Sequence, residues 1–247
     1  MSEAFKKKTV GRDVISLLMD DTLIVGDGTL KIEKGHFFAK TKCADSGSVF
    51  GTGTKYENIK MRMVAEATED LTLAVGDEAV DLGNPFEKNA DDSWKRLLGY
   101  GRSKSVSKSK TTVDMTVDED EYTDQQSDGL VSLSGSINGY KLNCPDDTSA
   151  TAKLMSEFMG VVDQTSDDES EWSSKETTTP ILTIAILYQK SINIGEKCEI
   201  EIIPCTFTSS EVSADYGSAT SINFSWTGNA QSSNGVLPCT VMTKRLV

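Results

Sequence analysis

The strictest constraint on this chain is a period of two. Over residues 130–140, Val131, Leu133, Gly135 and Ile137 fall on one parity and Ser132, Ser134, Ser136 and Asn138 on the other. Over 219–228, Ile222, Phe224 and Trp226 alternate with Ser221, Asn223, Ser225 and Thr227. The stretch 102–118 joins the pattern from Thr111 onward, with Val113, Met115 and Val117 set against Thr112, Asp114 and Thr116. Successive side chains of a strand point to opposite faces, so this alternation specifies antiparallel strands with one face buried and the other wet. Residues 180–189 differ. There Ile181, Leu182, Ile184, Ala185, Ile186 and Leu187 are apolar on both parities, which predicts a central strand or one covered by a partner.

Further strands are expected over 13–19, 22–25, 30–34 and 198–208, with turns at Asp20-Asp21 and Gly26-Asp27-Gly28. Over 59–75, Ile59, Met61, Met63 and Ala65 alternate, as do Leu71, Leu73 and Val75. This reads as a hairpin, although the Glu, Ala and Met of its middle also suit a helix. Two helices are expected. A short one over 94–98 is capped by Asp91-Asp92-Ser93 and stopped by Gly99. A longer one over 149–162 places Leu154, Met155, Phe158, Met159 and Val162 on one face. The fold class is therefore mainly β, an antiparallel β-sandwich or partial barrel with one packed α-helix. The chain divides into a basic arm (1–12), a single domain (13–228) and a C-terminal arm (229–247). The domain carries an insertion around 26–93 and an extended acidic loop over 163–179.

Charge removes several functions. Among 247 residues, 38 are acidic and 25 are Lys or Arg, a formal net charge of −13. Gripping nucleic acid requires cations to displace phosphate counterions, so specific DNA binding is a poor fit. One histidine, His36, leaves little room for histidine catalysis or poly-His metal sites, and no nucleophile or carboxylate is identifiably paired with it. Gly47–Lys55 imitates a phosphate loop, but Thr54 separates the last glycine from Lys55 and no Ser or Thr follows. Asp118-Glu119-Asp120-Glu121 lacks the glycine and terminal glutamate of an EF-hand. Cys43, Cys144, Cys198, Cys205 and Cys239 are odd in number and scattered, as expected of reduced core thiols. No apolar run is long enough to insert in a membrane, and no export signal opens the chain. These readings imply no enzyme and no cofactor or metal.

One stretch runs against the acidic balance. Arg102, Lys104, Lys108 and Lys110 share a parity, without the aromatics of a nucleic-acid patch. They suit an acidic segment of another copy better, such as Asp118–Asp128 or Asp163–Glu171, so Lys104, Lys108 and Lys110 are candidate inter-subunit contacts, with Asp118, Glu119 and Asp120 among their counterparts. Ile181, Ile184 and Leu187 of the doubly apolar strand join them as candidates.

The order of these pieces carries a resemblance. Trp94-Lys95-Arg96-Leu97-Leu98-Gly99 leads into the Ser/Lys stretch 103–110 and then Thr111-Thr112-Val113-Asp114-Met115-Thr116. After an acidic loop come Val131-Ser132-Leu133-Ser134-Gly135-Ser136-Ile137-Asn138-Gly139-Tyr140, the helix 149–162, and Ser221-Ile222-Asn223-Phe224-Ser225-Trp226-Thr227-Gly228. Over about residues 94–228 this resembles the major tail (tail tube) proteins of tailed bacteriophages. The insertion and the loop 163–179 are longer than that family usually carries. The resemblance implies hexameric rings stacked into a hollow tube, with neighbouring inner strands joined into one continuous β-barrel that conducts the genome. It implies as partners other copies of the chain, a tape-measure protein, a tail terminator, baseplate or tip proteins, a sheath in some tails, and DNA in transit. The location implied is the virion tail, assembled in the host cytoplasm. Within it, Ser132, Ser134, Ser136, Asn138, Ser221, Asn223, Ser225 and Thr227 are candidate lumen- or solvent-facing positions. Two other readings are a virion decoration or receptor-binding immunoglobulin-like module, and the inner tube of a phage-tail-like injection system.

Overall fold

The alternating sequence of 221–228 becomes alternating burial in a computed structural model that describes residues 14–43, 62–88, 90, 94–98, 100–114, 125–140, 164–166, 169–170, 181–188, 197–218 and 220–244. Among these residues the regular elements are all strands. The first seven are β1 (Val14–Leu18), β2 (Thr22–Val25), β3 (Lys31–Ile32), β4 (Phe37–Lys42), β5 (Val64–Glu66), β6 (Leu71–Thr72) and β7 (Glu78–Gly83). Then follow β8 (Tyr100–Asp114), β9 (Gln125–Tyr140), β10 (Gln164–Ser166), β11 (Glu169–Ser170), β12 (Leu182–Tyr188), β13 (Lys197–Ser213), β14 (Ser221–Gly228) and β15 (Cys239–Lys244).

The main sheet is antiparallel, in the order β1-β12-β13-β14-β9-β8, with β15 paired to the first half of β13. It curls until its two ends meet. Leu17 bridges Leu97, Leu18 N–H donates to the Arg96 carbonyl and Leu98 N–H to that of Ser16, both at 2.9 Å. The result is a partial barrel, open below that contact. Its interior holds Leu18, Leu98, Ile137, Ile184, Ile186, Ile203, Phe207, Ile222, Phe224 and Trp226. Gly135 is glycine because the sheet closes tightly there: a Cβ would sit 2.1 Å from the Ser105 carbonyl oxygen and 2.4 Å from the Trp226 ring.

A second layer covers the outside of β12 and β13. The sheet β2-β7-β4-β5 packs Phe37, Ala39, Val80 and Leu82 against Ala185, Leu187, Ile200 and Ile202. Its reverse face, with Phe38 and Ala79, meets Ile32, Leu71 and Leu73 around the small β3–β6 pair. The insertion thus has a core of its own. Adjacent Phe37 and Phe38 serve different cores because neighbouring strand residues face opposite ways.

The structure corrects several expectations. Residues 94–98 are not helical: Trp94 and Leu97 sit in isolated bridges, and the backbone groups a helix would need are taken by β1 and by Glu87, which accepts from Lys95 N–H at 3.1 Å. The strands within 59–75 do not pair as a hairpin. Instead β5 pairs with β4, and β6 with β3. β4 and β7 carry this layer and were not foreseen. Within 229–247, Cys239–Lys244 is a strand of the main sheet, and within 163–179, β10 and β11 pair as a short hairpin. The helix 149–162, the arm 1–12, the glycine-rich loop and Cys144 lie outside the described residues.

Candidate functional site

The eight polar positions come together on one surface. Strands β8, β9 and β14 are neighbours, and their register stacks polar residues in rows: Asn223 beside Asn138, Ser225 beside Ser136 and Ser105, Thr227 beside Ser134 and Ser107. Ser109 stands opposite Ser132. Residues directly opposite in an antiparallel pair point to the same side, so the hydroxyls and amides form one face while Ile137, Ile222, Phe224 and Trp226 fill the reverse. Ser105 and Ser136 hydroxyls lie 2.9 Å apart, and Ser136 N–H donates to the Ser105 hydroxyl at 3.1 Å. Within these rows every side chain is short, polar and uncharged.

Ser105, Ser107 and Ser109 were missed as members of this face. Their signal was present, because they occupy the parity opposite to the lysines, but an isolated Ser/Lys alternation does not say which side is inside. The structure answers that for Lys104 and Lys108, which reach toward the barrel side. Lys104 Nζ donates to the Val14 carbonyl across the gap between the sheet's ends, and burial pulls its pKa down. Lys108 Nζ pairs with the carboxylate of Glu201, which is only 8% exposed and also accepts from the Tyr188 hydroxyl at 2.7 Å. Burial first, then the Glu201 hydrogen bond and the charges of Glu201 and Glu199, push the Tyr188 hydroxyl up. Lys104 and Lys108 are thus engaged within their own chain, whereas Lys110 is exposed.

The doubly apolar strand finds its cover internally too. Ile184 lies in the barrel interior and Leu187 under the second layer, both with no exposed area, so neither can touch another subunit in this fold. Ile181, just before β12, is half-buried. Asp118, Glu119 and Asp120 lie outside the described residues.

Two further polar features were invisible in sequence. His36 has a partner: its Nδ1 is 3.0 Å from both Asp81 oxygens, and Asp81 also accepts from Gly83 N–H at 2.8 Å. Arg96 pairs with Asp20 and lies 3.6 Å from Glu87; burial opposes its charge, but Asp20, Glu87 and Asp81 outweigh it and hold the pKa up. The Arg96–Glu87 contact ties the insertion to the segment beside β1, whereas the His36–Asp81 pair holds β4 to β7 within the insertion. Among the described residues no group of three potential metal ligands occurs, and no helix is long and apolar enough to cross a membrane.

A cleft of about 520 Å³ opens where β14 ends. Val131 and Leu133 of β9 form one wall and Leu237, Pro238, Cys239 and Thr240 the other, with Lys108 and Glu201 between them. Cys239 is half-buried, and burial raises its thiol to about 11 against an opposing hydrogen bond from Val64.

No protein-family model and no curated protein sequence matches the chain. Among solved structures, it is similar to a chain in the tail of an empty GTA particle obtained by helical refinement with C6 symmetry. That match has 14% identity and a TM-score of 0.37, and covers 61% of this chain and 85% of that one. A chain in the virion of a native gene transfer agent (GTA) particle matches with 14% identity and a TM-score of 0.36, over 61% of this chain and 88% of that one.

Proposed function

We propose that this chain is a structural, non-enzymatic subunit of a bacteriophage tail tube, stacking as hexameric rings into a conduit for genome ejection. The observation that carries this reading is the uncharged hydroxyl face on β14, β9 and β8, ending in a 15-residue edge strand. A long unpaired edge is a template for another chain, and closing strands into a ring removes it. Short uncharged hydroxyls give a wetted wall without cations to hold phosphate, so a polyanion can slide along it. The excess negative charge of the whole chain adds weak repulsion. Lys104 and Lys108 lie on the other side of the sheet, where they cannot grip the cargo. The motif order over residues 94–228 supports the same assignment. In this reading a tape-measure protein, a terminator and baseplate or tip proteins complete the tail inside the virion, with assembly in the host cytoplasm.

Negative-stain electron microscopy of the purified protein, with light scattering for mass, tests it. Hollow rings or tubes with a central channel are the expected result. A monodisperse monomer at every concentration, even after addition of a baseplate-like nucleus, would leave the surface-decoration reading in its place.

A further inference from the structure

From the cleft at the end of β14 we infer a vacant strand position in the main sheet, filled by the basic N-terminal stretch of a second copy of this chain. The inference rests on the tube reading for its abundance of neighbouring copies. β13 shows where the vacancy comes from. On one flank it pairs with β14 through Cys205–Ser213 and with β15 through Lys197–Ile202, so β14 and β15 follow one another in a single column. β9 is the next column, and it pairs with β14 only from Ser134 to Tyr140. Below that point β9 continues to Gln125 with β8 on one side and no strand on the other among the described residues. β15 likewise pairs only with β13 among the described residues. Two edges that carry no partner strand among the described residues therefore line the cleft, and backbone groups on such edges bind an added strand.

The walls say what kind of strand fits. Val131 and Leu237, which line the opening, are 52% and 40% exposed, more apolar surface than a solvated rim needs. Glu201 lines the cleft already paired with Lys108, and the exposed Glu199 follows on the same parity of β13 as the charge left to a partner. A segment mixing cations with apolar residues suits both. Residues 1–13 provide it: Lys6, Lys8 and Val10 share one parity, and Lys6, Lys7, Lys8 and Arg12 stand against Glu3 and Asp13 in a chain otherwise strongly acidic. Thirteen residues span up to about 43 Å when extended, ample for a neighbour's slot. A second copy is favoured over the same one by direction. β1 meets the segment 94–98 just ahead of β8, so the chain enters on the far side of the β8–β9 ribbon from the vacancy.

Hydrogen exchange followed by mass spectrometry tests this on the full-length protein, dispersed and assembled. Amides of 125–133 and 239–244 are expected to slow by about tenfold or more on assembly, and not to slow in a chain lacking residues 1–12 or in the triple variant Lys6→Glu, Lys7→Glu, Lys8→Glu. The outer edge of β8 reports the ring separately. Tubes whose 125–133 and 239–244 amides stay fast overturn the vacancy but leave the tube. Slowing that is already complete in dilute monomer places the same chain's own stretch there and overturns the second copy. A concentration-dependent dimer with the slot protected and β8 still fast upholds the vacancy and removes the tube. A monomer with both edges fast at all concentrations overturns both.

Discussion

β12 and β14 are strands of one sheet, yet they solve opposite problems. β12 is covered on both faces by its own chain: Ile184 and Ile186 point into the barrel, and Ala185 and Leu187 under the insertion layer. β14 buries Ile222, Phe224 and Trp226 and leaves Asn223, Ser225 and Thr227 to water. The difference is one of duty. The β12–β13 half anchors the molecule, while the β14–β9–β8 half presents a surface that nothing among the described residues covers. If that is right, substitutions should separate by parity on β14 and not on β12.

The largest effect is expected inside. Trp226 is 1% exposed with its ring across Gly135, so Trp226→Ala should cost about 3–5 kcal/mol of unfolding free energy in urea titration. Trp226→Phe should cost clearly less, because the indole N–H has no acceptor among the described residues and its loss leaves no partner orphaned. On β12, Ile186→Ala and Leu187→Ala should both cost about 2–5 kcal/mol, despite pointing to opposite faces. A cheap Leu187→Ala would mean that the insertion layer does not stay packed on β12 in solution.

How legible was this in the sequence? Period two located β8, β9 and β14 and sorted the faces of β9 and β14, because one-sided burial writes itself into alternation. The doubly apolar β12 was equally legible as covered, but composition does not say whether a partner or the chain itself supplies the cover. Here the cover is Phe37, Val80 and Leu82 of the insertion, whose short strands carry too few residues for a period to show. The 94–98 turn looked helical because Asp91-Asp92-Ser93 offers a good cap, yet Leu97 bridges Leu17, a contact 80 positions away that no local pattern encodes. His36–Asp81 and Lys108–Glu201 were missed for the same reason.

An intermediate effect is expected where the two halves meet at the cleft. Lys108 comes from the presenting half, Glu201 and Tyr188 from the anchoring one. Lys108→Met leaves a nearly buried carboxylate with one hydrogen bond and should cost about 1–3 kcal/mol at pH 7, whereas the double variant with Glu201→Leu should recover most of that. High pH probes the same junction. In the folded chain the neutral Tyr188 phenol is favoured, so the unfolded chain loses its proton first. The contribution is intact below the unfolded value of about 10 and is lost as the pH rises beyond it. Cys205, whose thiol burial pushes up, acts in the same direction from about pH 8.5. Tyr188→Phe should therefore flatten the decline of stability between about pH 10 and 11.5, measured by urea titration at each pH; an unchanged slope would mean that the phenol is solvated in the folded protein.

The smallest effects should fall on the hydroxyl face, and their smallness is the point. Thr227 and Ser134 stand beside one another in water, so Thr227→Ala and Ser134→Ala should each shift stability by no more than about 0.5 kcal/mol. Ser105→Ala should sit slightly above them, because that hydroxyl accepts from Ser136 N–H. A surface whose side chains contribute so little to its own fold is held hydroxyl-rich for another reason. Ser134→Val and Thr227→Val should confirm it. They raise β propensity and leave the monomer as stable or more so, yet extend an apolar patch into water. Urea titration should then report no loss while light scattering reports disordered aggregation. If the valine variants instead remain monodisperse and destabilised, the face is a packed interior of the monomer and the division between anchoring and presenting halves fails.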